Sequence, residues 1–232
     1  ALPISETLAV QHGLREALFN LRGIPTVHHS RYSREDRPAL DQAVEQQIGK
    51  LRGTPRQGCI VVGTQTLEQS LDIDADLLIT DLCPMDVLLQ RVGRLHRHAR
   101  TDQDRPKPYR QARAIVLVPT GYRLDACLHQ SSHGLGRFRE GGGIYTDLRM
   151  LEATLRLIRG SDSHVIPRDN RELVERATHP EVLAALDSEL GSDWQAHGQA
   201  ISGEHYAKTV LANFSALPFE QAFQDEAGNP LT

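Results

Sequence analysis

Apolar positions in the first half of the chain follow two alternating patterns. Residues 5–20 place Leu8, Leu14, Ala17 and Leu18 near helical spacing, with Ser5 available as a cap. Residues 34–50 repeat a helical stripe through Leu40, Val44 and Ile48. Between these segments and after them lie short β-prone runs at 24–29 (IPTVHH), 58–63 (GCIVVG), 76–81 (DLLITD) and 113–118 (RAIVLV). The continuous apolar character of 58–63 and 76–81 predicts strands buried on both faces. Residues 84–96 restart a helix with Pro84 in its first turn, and 100–111 form a polar, proline-containing linker. Strands alternating with helices at this spacing predict βαβ units, hence an α/β fold with an open, mostly parallel sheet and flanking helices.

The second half changes character. A glycine-rich stretch at 134–143 reads as a loop, and 146–159, 170–177, 180–190 and 205–217 read as helices. The pattern divides the chain into a sheet domain at 1–120, a loop or linker at 121–143 and a mainly helical extension at 144–232.

The chain's 232 residues are 39% hydrophobic, enough for a sizeable core, yet no apolar run approaches the roughly 20 residues of a membrane span. Cys59, Cys83 and Cys127 form no CxxC pair, so neither a disulfide framework nor a zinc knuckle is expected, and a reducing cytoplasm is. The net charge of −4 is uneven: residues 1–113 sum to +2 and residues 114–232 to −6. Twenty-three of the 26 cations are arginine, which suits bidentate phosphate contacts but also follows from a GC-rich genome.

Gln90, Arg94 and Arg97 carry the clearest chemistry. At about 100° per residue they project from one face of the predicted 84–96 helix. Gly93 beside them permits close approach of a ligand or another backbone. Two arginines one turn apart suit the charge that builds on a phosphoryl group in transfer; they equally suit surface ion pairs with Asp81 or Asp86. No GxxxxGK[ST] occurs, since Gly49-Lys50 is followed by Leu51, and no Asp-Glu-x-His motif is present. The His28-His29 and His96/His98 pairs lack further ligands at useful spacing, so no metal site is expected. Trp194 is either a stacking platform or, like most single aromatics, core.

In order, these parts resemble the last two motifs of superfamily 2 helicases. The wording TQTLEQSLDID followed by LLITDLCPMDVLLQRVGRLHRH is similar to the CRISPR-associated helicase-nuclease of type I systems. His29-Ser30-Arg31, with Arg34-Glu35-Asp36-Arg37 after it, resembles the preceding motif, and GIYTDLRMLEATLRLI and VIPRDNRELVE resemble the segment after the helicase core. The resemblance spans residues 5–178. It implies the second RecA-like domain of an ATP-dependent single-stranded-DNA translocase, followed by a helical extension.

On that resemblance Arg94 and Arg97 are arginine fingers, Gln90 orients around the same phosphates, and Asp72 meets the ribose or helps hold the fingers. A capping or turn role for Asp72 stays open. Thr64 and Gln65, with Ser30 and Arg31, contact the phosphates of the tracked strand. ATP and Mg²⁺ are held mainly by an N-terminal RecA-like half with a nuclease domain, so this chain alone is expected to be inactive. Partners implied are that half, single-stranded DNA and a CRISPR RNA-guided surveillance complex, with no membrane. In place of the family's strand-to-helix turn stands Ser5-Glu6-Thr7, so the first sheet strand is expected to be missing or vestigial. The rival readings are half of another superfamily 2 repair or RNA helicase, and a non-catalytic nucleic-acid- or protein-binding module on the same scaffold.

Overall fold

A computed structural model of the chain describes residues 20–22, 24–50, 58–68, 71–101, 103–129, 135–136 and 144–215. The helix expected at 5–20, with its Ser5-Glu6-Thr7 turn, falls almost wholly outside these residues. A short antiparallel pair, β1 (Asn20–Leu21) and β2 (Ile24–Pro25), leads into helix α1 (Asp36–Ile48). Ser33 starts that helix: its hydroxyl accepts from the Asp36 amide at 3.1 Å and donates to the Asp36 carboxylate at 2.7 Å, satisfying a donor the first turn leaves free. Leu40 and Val44, one turn apart, are fully buried and pack with Leu71 and Ile73.

β3 (Leu78–Asp81) pairs in parallel with β4 (Ala114–Leu117), and α2 (Met85–Val92) lies between them in the chain. Parallel bridges join His28 to Gly63 and Ala75 to Leu95, so residues 58–63 contribute a bridge rather than a regular strand. The predicted burial of 76–81 on both faces does not hold among the described residues. Thr80 is buried and Val116 packs against the helices, whereas Ile79, Ile115 and Leu117 are 59%, 42% and 50% exposed. The described helices pack on the Thr80/Val116 side, which leaves the alternate side chains facing outward.

The extension comprises α4 (Leu148–Gly160), α5 (Asn170–Thr178), α6 (Pro180–Leu190) and α7 (Ser192–Phe214), after the short α3 (Asp125–His129). Asp147 caps α4, accepting from the Arg149 amide at 3.1 Å. The 121–143 stretch is not a plain linker. It carries α3, and Leu124, Cys127 and Leu135 join Leu82, Leu148, Leu151, Leu155 and Trp194 in one buried cluster. α7 begins well before the predicted 205 because Trp194 and Ile201 anchor it in the core. The Trp194 indole donates to Asp125 at 3.1 Å, which identifies this aromatic as core.

Candidate functional site

Backbone pairing brings two loops together. The His28 amide donates to Val62 at 2.8 Å and the Thr64 amide donates to the His28 carbonyl at 2.9 Å. The two loops meet at Gly63, where a Cβ would sit 2.8 Å from the His28 carbonyl oxygen and inside the Leu67 side chain. Ser30, Arg31 and Gln65 are exposed and Thr64 is half-buried along this common edge. Beneath them, the fully buried His28 ring is 2.6 Å from the Thr66 hydroxyl through Nδ1 and 2.6 Å from Asp41 through Nε2. Burial lowers the pKa of His28 and outweighs the opposing Asp41 carboxylate. The neutral ring donates to Asp41 and accepts from Thr66, which locks the two loops together.

The second group lies where α2 ends. The helix stops at Val92, short of the predicted 96, so Arg94 and Arg97 do not share a helical face with Gln90. Past Gly93 the chain pairs with Ala75 instead: the Ala75 amide donates to Arg94 at 2.9 Å and the His96 amide donates to Ala75 at 3.1 Å. Beyond that pairing His96 takes φ 49°, in the left-handed region. Gln90 is exposed on the last turn of α2. Arg97 forms an ion pair with Asp72 at 3.1 Å, and His98 reaches the same carboxylate at 2.9 Å. Among the described residues the carboxylate that pairs with Arg97 is thus Asp72 rather than Asp81 or Asp86. Asp72 is held in turn by its amide, which donates to Glu45 at 2.9 Å.

Arg94 is half-buried. One guanidinium nitrogen donates to the Glu68 carbonyl at 3.0 Å, while Nε is buried with no hydrogen-bond partner among the described residues. Burial, with Arg97 close by, lowers the Arg94 pKa.

Sequence reasoning passed over the residue that organises this region. Arg91 is only 6% exposed and bonds in four directions. It reaches Glu68 at 2.6 Å, the Thr80 hydroxyl at 2.6 Å, the Asp81 carbonyl at 3.3 Å and the Tyr145 hydroxyl at 2.8 Å. Its signal was present: Arg91 lies three residues after buried Leu88, a cation on the apolar stripe of α2. A second hidden network holds the chain after the site. Fully buried Asp74 pairs with Arg100 and Arg105, and Arg105 also bonds Asp76 at 2.6 Å. Among the described residues no cluster of three His, Cys, Asp or Glu is arranged to hold a metal ion, and no helix is long and apolar enough to cross a membrane.

Residues 3–100 match the family model described as CRISPR-associated nuclease/helicase Cas3, C-terminal. The CRISPR-associated endonuclease/helicase Cas3 of Thermus thermophilus is 39% identical over 148 residues, covering 63% of this chain and 14% of that protein. Its counterpart from Escherichia coli K12 is 39% identical over 126 residues, 54% of this chain and 12% of that protein. The crystal structure of T. fusca Cas3-ATP aligns with a TM-score of 0.69 and 26% identity, covering 94% of this chain and 23% of that one. The chain thus spans a minor share of the relatives it matches. With these neighbours, the parallel pair and its helices form an α/β RecA-like domain with a helical extension.

Proposed function

We propose that this chain, which corresponds to the C-terminal helicase part of the Cas3 nuclease/helicases, supplies the second RecA-like domain of an ATP-dependent single-stranded-DNA translocase in CRISPR interference. It works in the cytoplasm with an N-terminal RecA-like and nuclease half and an RNA-guided surveillance complex.

The observation that carries this reading is Arg94 Nε, a buried donor without an acceptor among the described residues. Such a group costs about 1–3 kcal/mol unless an acceptor arrives. A phosphate oxygen presented by the other half fits, because Arg94 is already steered by Glu68, and the exposed Arg97 is near enough to act on its charge. Both guanidiniums then act on the charge developing at the transferred phosphoryl group, an effect worth roughly 10³–10⁵ in rate. Gln90, exposed one turn before them, orients around the same phosphates. Asp72 keeps Arg97 extended until the phosphates displace it.

The Mg²⁺ of such a reaction neutralises phosphate charge when bound. The described residues of the site do not fit it, because the carboxylates beside the arginines are paired with them, and we assign the ion to the other half. Ser30, Arg31, Thr64 and Gln65 form the contact to the DNA backbone. Cations and small polar groups on one edge suit phosphates rather than base edges.

Complementation tests the reading. The chain mixed with a purified N-terminal half should hydrolyse ATP in a DNA-stimulated manner, while the chain alone is silent. DNA-stimulated turnover by the chain alone would overturn it, as would a mixture that stays inactive.

A further inference from the structure

His96 stands between Arg94 and Arg97 in the chain, and two features set it apart. Its ring nitrogen Nε2 is buried with no hydrogen-bond partner among the described residues. Its backbone takes φ 49°, a left-handed conformation uncommon for a residue with a Cβ and free to glycine. Among the described residues four buried side-chain polar atoms are without a partner. Two are oxygens, of Asn170 in α5 and Asp187 in α6, in the extension. The other two are nitrogens, Arg94 Nε and His96 Nε2, only two residues apart in the candidate site. The backbone that carries both is pinned at Ala75, whose amide donates to the Arg94 carbonyl at 2.9 Å and whose carbonyl accepts from the His96 amide at 3.1 Å. The imidazole is therefore mounted on fixed backbone. A buried nitrogen left unpaired carries the full cost of its lost hydration until an acceptor arrives. Left-handed backbone combined with such a nitrogen marks a place held for a ligand rather than for packing.

We infer that His96 is a further phosphate contact of this site, donating from Nε2 to an oxygen of the same phosphate group that completes Arg94. This rests on the function proposed above. A phosphate oxygen only accepts, so Nε2 carries the proton when the contact forms. Arg94 Nε and His96 Nε2 each require an acceptor, and one phosphoryl group with several unshared oxygens supplies both. The charges of Arg94 and Arg97 on either side favour a multiply charged acceptor.

Nitrogen-15 spectra of the imidazole and guanidinium groups of the full chain, titrated with inorganic tripolyphosphate, read the contact directly. His96 Nε2 and Arg94 Nε should shift together with one midpoint. A His96 signal that stays in place, whether or not Arg94 responds, overturns the inference. In the chain assembled with its N-terminal half, His96→Leu should lower kcat/KM for ATP by about ten- to a hundredfold, the scale of one hydrogen bond to a charged group. His96→Gln, whose amide reaches the place of Nε2 and donates, should recover most of that loss. His96→Gly relieves the left-handed backbone and keeps the fold, yet it should turn over as poorly as His96→Leu. A histidine needed only for structure would instead leave His96→Gly active, and full activity in that variant overturns the inference. So does a loss of affinity between the two halves with KM for ATP unchanged, which would assign the nitrogen to a protein acceptor of the other half. A wild-type assembly without DNA-stimulated turnover overturns the proposed function instead, and the tripolyphosphate titration then decides His96 on its own.

Discussion

Arg97 lies 3.1 Å from Asp72, in an ion pair that leaves both side chains about 40% exposed. Pairs at that exposure contribute on the order of 0–1 kcal/mol, because water screens them and ordering two side chains costs entropy. Asp72 can therefore hold Arg97 in place and still release it to a phosphate. Arg94 differs, being half-buried and steered through a backbone carbonyl.

From that contrast, Arg94→Ala and Arg97→Ala in the assembled enzyme should each lower kcat by roughly 10³–10⁵, leaving nucleotide affinity much less changed. Asp72→Asn should cost far less, since it removes a holding group and not a finger. Steady-state ATP turnover with nucleotide-binding titrations checks this. Unchanged kcat in both arginine variants would reduce them to surface ion pairs.

The Asp74 network sets acid stability. Burial drives this carboxyl upward, but bonds from Arg100 and Arg105 more than offset it and hold the group below the ordinary carboxylate range. Asp147 behaves alike: Arg149 and His197 overcome burial and keep it well below that range. A depressed folded pKa contributes stability that is present above the unfolded value and lost as pH falls through the folded one. Thermal melts should thus begin to fall as pH drops through the ordinary carboxylate range and go on falling until the depressed folded values are passed. Asp74→Asn removes the buried carboxylate that Arg100 and Arg105 share, leaving Arg105 with Asp76 and Arg100 with backbone carbonyls, and should cost about 3–5 kcal/mol, or roughly 6–20 °C in a chain of this size.

His28 gives the opposite end of the pH scale. Its folded pKa lies below 6.5, chiefly through burial, so the unfolded chain binds the proton first. Stability should be full above pH 6.5 and decline as pH falls below it, levelling off under the folded pKa. The charged groups facing the ring are Asp41, Arg37 and His29. His28→Asn, which removes the ring nitrogens from Thr66 and Asp41, should flatten that part of the profile. A decline of equal size in this variant would assign it to another group.

The α/β alternation, α1 and the helical extension were legible because each depends on local periodicity: Leu40 and Val44 or Leu148, Leu151 and Leu155 recur at helical spacing and are buried. The end of α2 was not legible. The stretch after Gly93 is helix-compatible in sequence, and only the pairing of Leu95 with Ala75, twenty residues away, draws it off the helical path. The start of α7 was missed for a similar reason, since SDWQAHGQ is polar in sequence and Trp194 becomes core only against α3 and α4. Tyr145 had no local signal at all: its partner Arg91 is brought to it by the fold.

The proposed DNA edge makes a prediction in which charge and geometry separate. Arg31 is the cation among the four proposed contacts, whereas Ser30, Thr64 and Gln65 are neutral. Binding of single strands releases roughly 0.7 counterion per phosphate neutralised, so log affinity falls with log salt in proportion to cations engaged. Arg31→Ala should lower affinity and reduce that slope by about 0.7. Thr64→Ala and Gln65→Ala should lower affinity with the slope unchanged, since a lost neutral hydrogen bond releases no ion. Gly63→Ala should do the same indirectly: its Cβ would collide with the Leu67 side chain and crowd the His28 carbonyl, forcing the two loops apart. Oligothymidylate titrations of the full chain over a range of salt concentrations separate these cases. A slope that Arg31→Ala leaves intact would place the DNA backbone on another face of the domain.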